Sequence, residues 1–211
     1  MIVCIAGRKG GVGKTTTALQ LAGAWVAQGH DVVIVDLDPQ LSLSRAIQES
    51  KEDLCRIVPL EPMAESHADA GFGEWLRSRL PLAEIYCCDL PPHLGPVMAR
   101  AVGMADVSLF PTRLSNPDFR SLVDTLDLVT DERHFILPNA YIKRQSSHRS
   151  ALAALEQSYP GRILEPIPWS MLIETSYNAG IPLSRYRPTS GPARLYRDLA
   201  EIVLKKERVL S

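Results

Sequence analysis

The chain has 211 residues, of which 45% are apolar and 22% charged, and its formal net charge is −1. That length corresponds to about one domain, which buries roughly 70% of its unfolded surface and needs no disulfide framework. No apolar run is long enough to span a bilayer, and residues 2–6 are too short an apolar stretch for a secretory signal.

In chain order, residues 2–6 read as a strand, followed by a glycine loop and a helix from about Lys14 to Gly29. Residues 32–36 form a second strand. Residues 50–72 mix acidic side chains with Pro59, Pro62 and Gly71 and show no periodicity. Residues 85–89, 107–111 and 135–139 are further strands, each with a helix predicted after it. Residues 191–210 close the chain as a helix with Leu195, Leu199, Ile202 and Val203 on one side. This alternation predicts an α/β fold, a mostly parallel twisted sheet with helices on both faces, in one domain over residues 1–211. Ligands of such sheets bind at the carboxyl ends of the strands.

Gly10, Gly11, Val12, Gly13, Lys14, Thr15 and Thr16 stand between the first strand and its helix, the context of a phosphate loop. Glycines let backbone N–H groups converge on a β-phosphate, and the helix N-terminus adds partial positive charge. Lys14 then reaches the β- and γ-phosphates, and the Thr15 hydroxyl joins the coordination of Mg²⁺. The usual spacing places a glycine five residues before Gly13, but Arg8 stands there, and a second lysine, Lys9, heads the loop. An extra cation suits phosphate charge that Lys14 does not reach.

Two strands end in carboxylates, at Asp36 with Asp38 just beyond it, and at Asp89. Beside a phosphate site, three carboxylates supply Mg²⁺ coordination and water positioning. Asp38 is the candidate for orienting an attacking water, and Asp36 and Asp89 for holding Mg²⁺ through water. Mg·ATP is the ligand this set implies.

At these residues the chain resembles the ParA/MinD family of deviant Walker A P-loop NTPases, and within it the short ParA-type partition proteins. The stretch from Lys9 to Thr17 resembles the family's phosphate loop, residues 35–40 its first switch, and residues 89–95 its second. More loosely, residues 135–139 resemble the strand whose terminal asparagine, here Asn139, contacts adenine. Ile167 with Pro168, and residues 178–182, resemble segments that close over the base. The resemblance implies an ATP-dependent homodimer in which Lys9 reaches the partner subunit's phosphates. It also implies non-specific DNA binding by the ATP-bound dimer, and release when a cargo-bound adaptor protein stimulates hydrolysis. Asp38 matches the hydrolysis residue of the first switch. The implied location is cytoplasmic, and nucleoid-associated with ATP bound.

Charge agrees with a polyanion partner, although a solvated face reads the same way. Residues 1–140 carry 12 Lys and Arg against 18 Asp and Glu, net −6, and residues 141–211 carry 11 against 6, net +5. The DNA-contact candidates are Lys143, Arg144, Arg149, Arg162, Arg185, Arg187 and Arg194. The chain starts at its first strand, so no N-terminal helix-turn-helix is expected.

Two rivals share the scaffold. A MinD-type membrane ATPase needs a basic amphipathic C-terminal helix with bulky apolar residues; residues 201–211 hold no Phe or Trp, so the helix is expected to dock on the domain and a membrane partner is not expected. A metabolic ATP-dependent ligase needs a second substrate pocket, for which 211 residues leave little room. Cys4, Cys55, Cys87 and Cys88 lack metal-ligand spacing and read as reduced thiols; on a strand, Cys87 and Cys88 point to opposite faces. Residues 146–148 are read as a helix start, and Trp25, Trp75 and Trp169 as packing residues.

Overall fold

A computed structural model of the protein describes residues 1–50, 56–59, 78–92, 95–127, 129 and 133–210. Six strands are described: β1 (Ile2–Ile5), β2 (Val32–Asp36), β3 (Arg56–Pro59), β4 (Ile85–Asp89), β5 (Val107–Arg113) and β6 (His134–Asn139). They form one sheet in the order β3-β2-β4-β1-β5-β6, and every pairing is parallel. The described helices are α1 (Lys14–Ala27), α2 (Ser42–Ser50), α3 (Pro96–Met104) and α4 (Asn116–Leu126), then α5 (Ser146–Ser158), α6 (Met171–Asn178), α7 (Leu183–Tyr186) and α8 (Gly191–Leu210).

The strands are apolar without alternation because both faces of the sheet are covered. Side chains alternate between two cores. Val3, Ile5, Val32, Ile34 and Cys87 join the core under α1 and α8, whereas Cys4, Val33, Val35 and Cys88 join the one under α3, α4 and α5. Cys87 and Cys88 therefore do face opposite ways, and both are buried and in no disulfide, as is Cys4. Helix α1 is buried on almost every side, and the Trp25 indole N–H donates to the Ala200 carbonyl on α8 at 3.1 Å.

Helix α8 docks on the domain as expected, burying Tyr196, Leu199, Ala200 and Val203 in the α1 core. Among the described residues, no helix is long and apolar enough to cross a membrane. Residues 56–59 form the edge strand β3, which the sequence reading missed; Cys55, Trp75 and residues 60–77 lie outside the described residues. Trp169 departs from the packing expected of it and is 57% exposed.

The sheet order places the site. Strand β1 lies in the middle, and the chain proceeds to one side of it through β2 and to the other through β5 and β6. The crevice at the carboxyl end of β1 is where such a sheet takes its ligand.

Candidate nucleotide site

The loop after β1 runs directly into α1. Gly13 caps that helix in the left-handed region at φ 99°, a conformation that L side chains avoid. A Cβ there would stand 2.6 Å from Nδ2 of Asn139. That amide donates to the Val12 carbonyl at 3.0 Å and to the Thr17 hydroxyl at 3.4 Å, so the end of β6 braces the loop. Oδ1 of Asn139 is buried with no hydrogen-bond partner among the described residues.

Residues 10–16 of the loop line a cavity of about 590 Å³. Asp38, Asn139, Pro168, Trp169, Glu174 and Tyr177 also line it. Lys14 is buried, and its ammonium donates to the Lys9 carbonyl at 3.2 Å. Burial lowers its pKa from the ordinary lysine value, while Asp89 and Asp38 act to raise it.

Asp36 and Asp89 are register partners at the carboxyl ends of β2 and β4. Their environments differ. Asp36 accepts from the Ser44 N–H at 3.0 Å and the Ser44 hydroxyl at 2.8 Å through Oδ2, and from the Asp38 N–H at 3.3 Å through Oδ1. It thereby fixes the start of α2 against the switch. Burial still raises its pKa above the ordinary carboxylate value, against those hydrogen bonds.

Asp89 is 1% exposed, and among the described residues neither of its oxygens has a hydrogen-bond partner of ordinary geometry. Burial pushes its carboxyl up to about 7; the Thr15 hydroxyl nearby and Lys14 act to lower it, and Asp36 and Asp38 to raise it further. A buried acceptor pair left open beside a threonine hydroxyl and a phosphate loop is a good fit for a hydrated Mg²⁺. Among the described residues no group of three or more His, Cys, Asp or Glu could hold a metal by itself.

Lys9 and Arg8 do not line the cavity. The Lys9 ammonium is ion-paired with Asp118 on α4, and Arg8 lies 3.5 Å from Asp124 on the same helix. Asp118 is 5% exposed and its other oxygen accepts from the Ser115 hydroxyl at 2.5 Å. Sequence reading did not single out Asp118; its place in the first turn of α4, more than a hundred residues from the loop in the chain, gives no local signal.

Residues 3–207 match the family model described as the CobQ/CobB/MinD/ParA nucleotide binding domain. The chain belongs to this family. Over 97% of its length it is 24% identical to the chromosome-partitioning ATPase Soj of Thermus thermophilus, of which it covers 95%. It is 32% identical over 164 residues to the maintenance of carboxysome distribution protein A of Synechococcus elongatus, a match covering 62% of this chain and 65% of that one. Its fold matches that of McdA from Cyanothece in complex with ATP, with a TM-score of 0.77, 23% identity, and 97% and 96% of the two chains covered.

The ParA/MinD-type fold also locates the basic candidates. Lys143, Arg144 and Arg149 share the loop before α5 and its first turn, and Arg149 donates to the carbonyls of Lys143 and Arg144 at 3.1 and 3.0 Å. That guanidinium braces the loop that displays the other two. Arg185, Arg187 and Arg194 are exposed on α7 and the start of α8, with Arg187 5.8 Å from the Tyr186 ring centroid. Arg162 is half-buried in the turn after α5, apart from both sets in the chain. Residues 146–148 do start a helix, and His148 accepts from the Ile142 N–H at 3.1 Å.

Proposed function

We propose that this chain is a positioning ATPase in which two copies pair face to face on Mg·ATP and bind non-specific DNA. A cargo-bound adaptor then stimulates hydrolysis and the pair comes apart, moving a plasmid or chromosome. The protein is accordingly cytoplasmic, and held on the nucleoid while ATP is bound.

One observation carries this reading. Lys9 heads the phosphate loop yet lies outside its own cavity, tied to Asp118. A cation so placed serves a second copy's phosphates better than its own. Pairing would thus report ATP.

Within one copy, the loop amides and the N-terminus of α1 hold the β-phosphate. Lys14 exchanges the Lys9 carbonyl for phosphate oxygens. Thr15, Asp89 and Asp36 would hold the Mg²⁺, which would supply charge neutralisation to the phosphates. Asp38, in the cavity lining, orients the attacking water. Asn139 and Pro168 border the base.

The S. elongatus relative, by its name, serves the distribution of carboxysomes. That likeness favours a protein body as the alternative cargo, moved by the same cycle.

Sedimentation with ATP, ADP and no nucleotide tests the pairing. Wild-type protein should form dimers with ATP alone, and Lys9→Ala should bind ATP yet stay monomeric. A Lys9→Ala variant that pairs as well as wild type would remove the observation on which this reading stands.

A further inference from the structure

Trp169 is placed unlike the chain's other described tryptophan. Trp25 is fully buried and its indole N–H is bonded to a carbonyl, whereas Trp169 is 57% exposed and lines the nucleotide cavity. Its backbone is not loose. The Trp169 N–H donates to the Tyr141 carbonyl at 3.0 Å, and the Ile167 N–H to the Pro138 carbonyl at 2.8 Å. Between them Tyr141 and Pro168 pair as neighbours in parallel strands. The segment from Ile167 to Trp169 therefore runs as a short extra strand beside the end of β6 and holds Trp169 at the wall of the cavity.

Asn139 ends β6 beside that segment; its Oδ1 is buried and, among the described residues, unpartnered, while its amide nitrogen is bonded to the phosphate loop. The cavity lining thus offers backbone amides and a lysine, which suit phosphate, together with an exposed indole, Pro168 and the Asn139 acceptor, which suit a base bearing an amino group. A large indole left half in water at a cavity wall is stabilised when a planar ligand covers it.

We propose that Trp169 is the base platform of this site, stacking on one face of the purine of bound ATP and setting the preference for a nucleotide over a base-free phosphate. The inference rests on the reading of the cavity as the ATP site and adds a residue to it. Base stacking on an aromatic side chain is worth about 1–3 kcal/mol, which converts to about 5- to 150-fold in affinity.

The test compares ATP with inorganic tripolyphosphate, both with Mg²⁺, on wild type, Trp169→Ala and Trp169→Phe. Trp169 is exposed, so neither substitution opens a cavity in the core. Trp169→Ala should weaken ATP binding by about 5- to 150-fold, leave tripolyphosphate binding unchanged, and be largely rescued in Trp169→Phe. Wild-type indole emission should also change on adding ATP, and Trp169→Phe should lose that change. Unchanged ATP affinity in Trp169→Ala, or an equal loss for tripolyphosphate, overturns the platform while leaving the ATP site standing. Failure of wild type to bind either ligand overturns both readings.

Discussion

Lys9 is ion-paired with Asp118, a buried carboxylate on α4, and takes no part in lining the cavity that its own loop builds. Asp118 is also bonded to the Ser115 hydroxyl, so the lysine is held by a fixed partner and not by a flexible one. For Lys9 to reach another copy's phosphate it must leave that carboxylate. In the proposed cycle the ion pair would oppose pairing until ATP is present.

Asp118→Asn should therefore shift ATP-driven dimerisation to lower ATP concentration. The amide keeps the shape and a Ser115 contact but removes the charge that retains Lys9. Sedimentation across an ATP titration reads the effect. A dimerisation midpoint unmoved, or moved to higher ATP, would show that Asp118 does not restrain the lysine. The fold itself should weaken by only about 1 kcal/mol, because Lys9 is 39% exposed.

Asp89 makes the stability of the nucleotide-free protein depend on pH. An aspartate in the unfolded chain ionises near 3.9, whereas Asp89 in the fold holds its proton until about 7. Between those values the unfolded chain has lost a proton that the folded one keeps. The contribution of Asp89 to stability is full below about 4, falls as pH rises toward 7, and stays lost above it. Asp89→Asn should remove that slope, so that its stability relative to wild type rises from pH 4 to pH 8. Urea unfolding without nucleotide or Mg²⁺, at several pH values, checks this; parallel curves for the two proteins would contradict it.

Much of this arrangement is legible in the sequence because it is local. The loop from Lys9 to Thr16, and the strands that end in Asp36 and Asp89, carry apolar runs and spacings visible within a dozen residues. The β4 and β2 boundaries agree with the reading, and α8 spans the expected residues. What escaped was set by tertiary contact. Strand β3 is only four residues long and half exposed, so it lacks an apolar run. Trp169 looks like a core residue by type, and only its pairing beside β6 shows that it stands at a cavity wall. Asp118 became significant through Lys9, more than a hundred residues away in the chain.

Gly23 is a similar case of distant packing. A Cβ on it would stand 2.2 Å from Cβ of Pro182, which lies against α1 just before α7. Alanine gains about 1 kcal/mol of helix propensity, but the overlap costs about 1–3 kcal/mol or more because neither backbone is free to retreat. Gly23→Ala should lower Tm by a few degrees despite being favourable in an isolated helix. An unchanged or higher Tm would mean that α7 yields easily.

Asp38 lines the cavity, and its Oδ1 accepts from the Gln40 N–H at 2.9 Å, which shapes the turn after β2. Asp38→Ala should bind ATP, pair, and stay paired, with turnover lowered by at least about tenfold, the scale on which positioned proton acceptors act. Phosphate release under single-turnover conditions measures this. Turnover equal to wild type would move the water-positioning role to another residue.

The central claim is a DNA-bound state gated by ATP, and binding to a random-sequence duplex with ATP, with ADP and without nucleotide, across a salt series, tests it most directly. The account predicts binding with ATP only, weakening steeply and linearly in log–log form as salt rises, because phosphate contacts release counterions. Lys143→Ala with Arg144→Ala should reduce both the affinity and that slope. Absence of binding in every nucleotide state, with ATP turnover intact, would contradict the account.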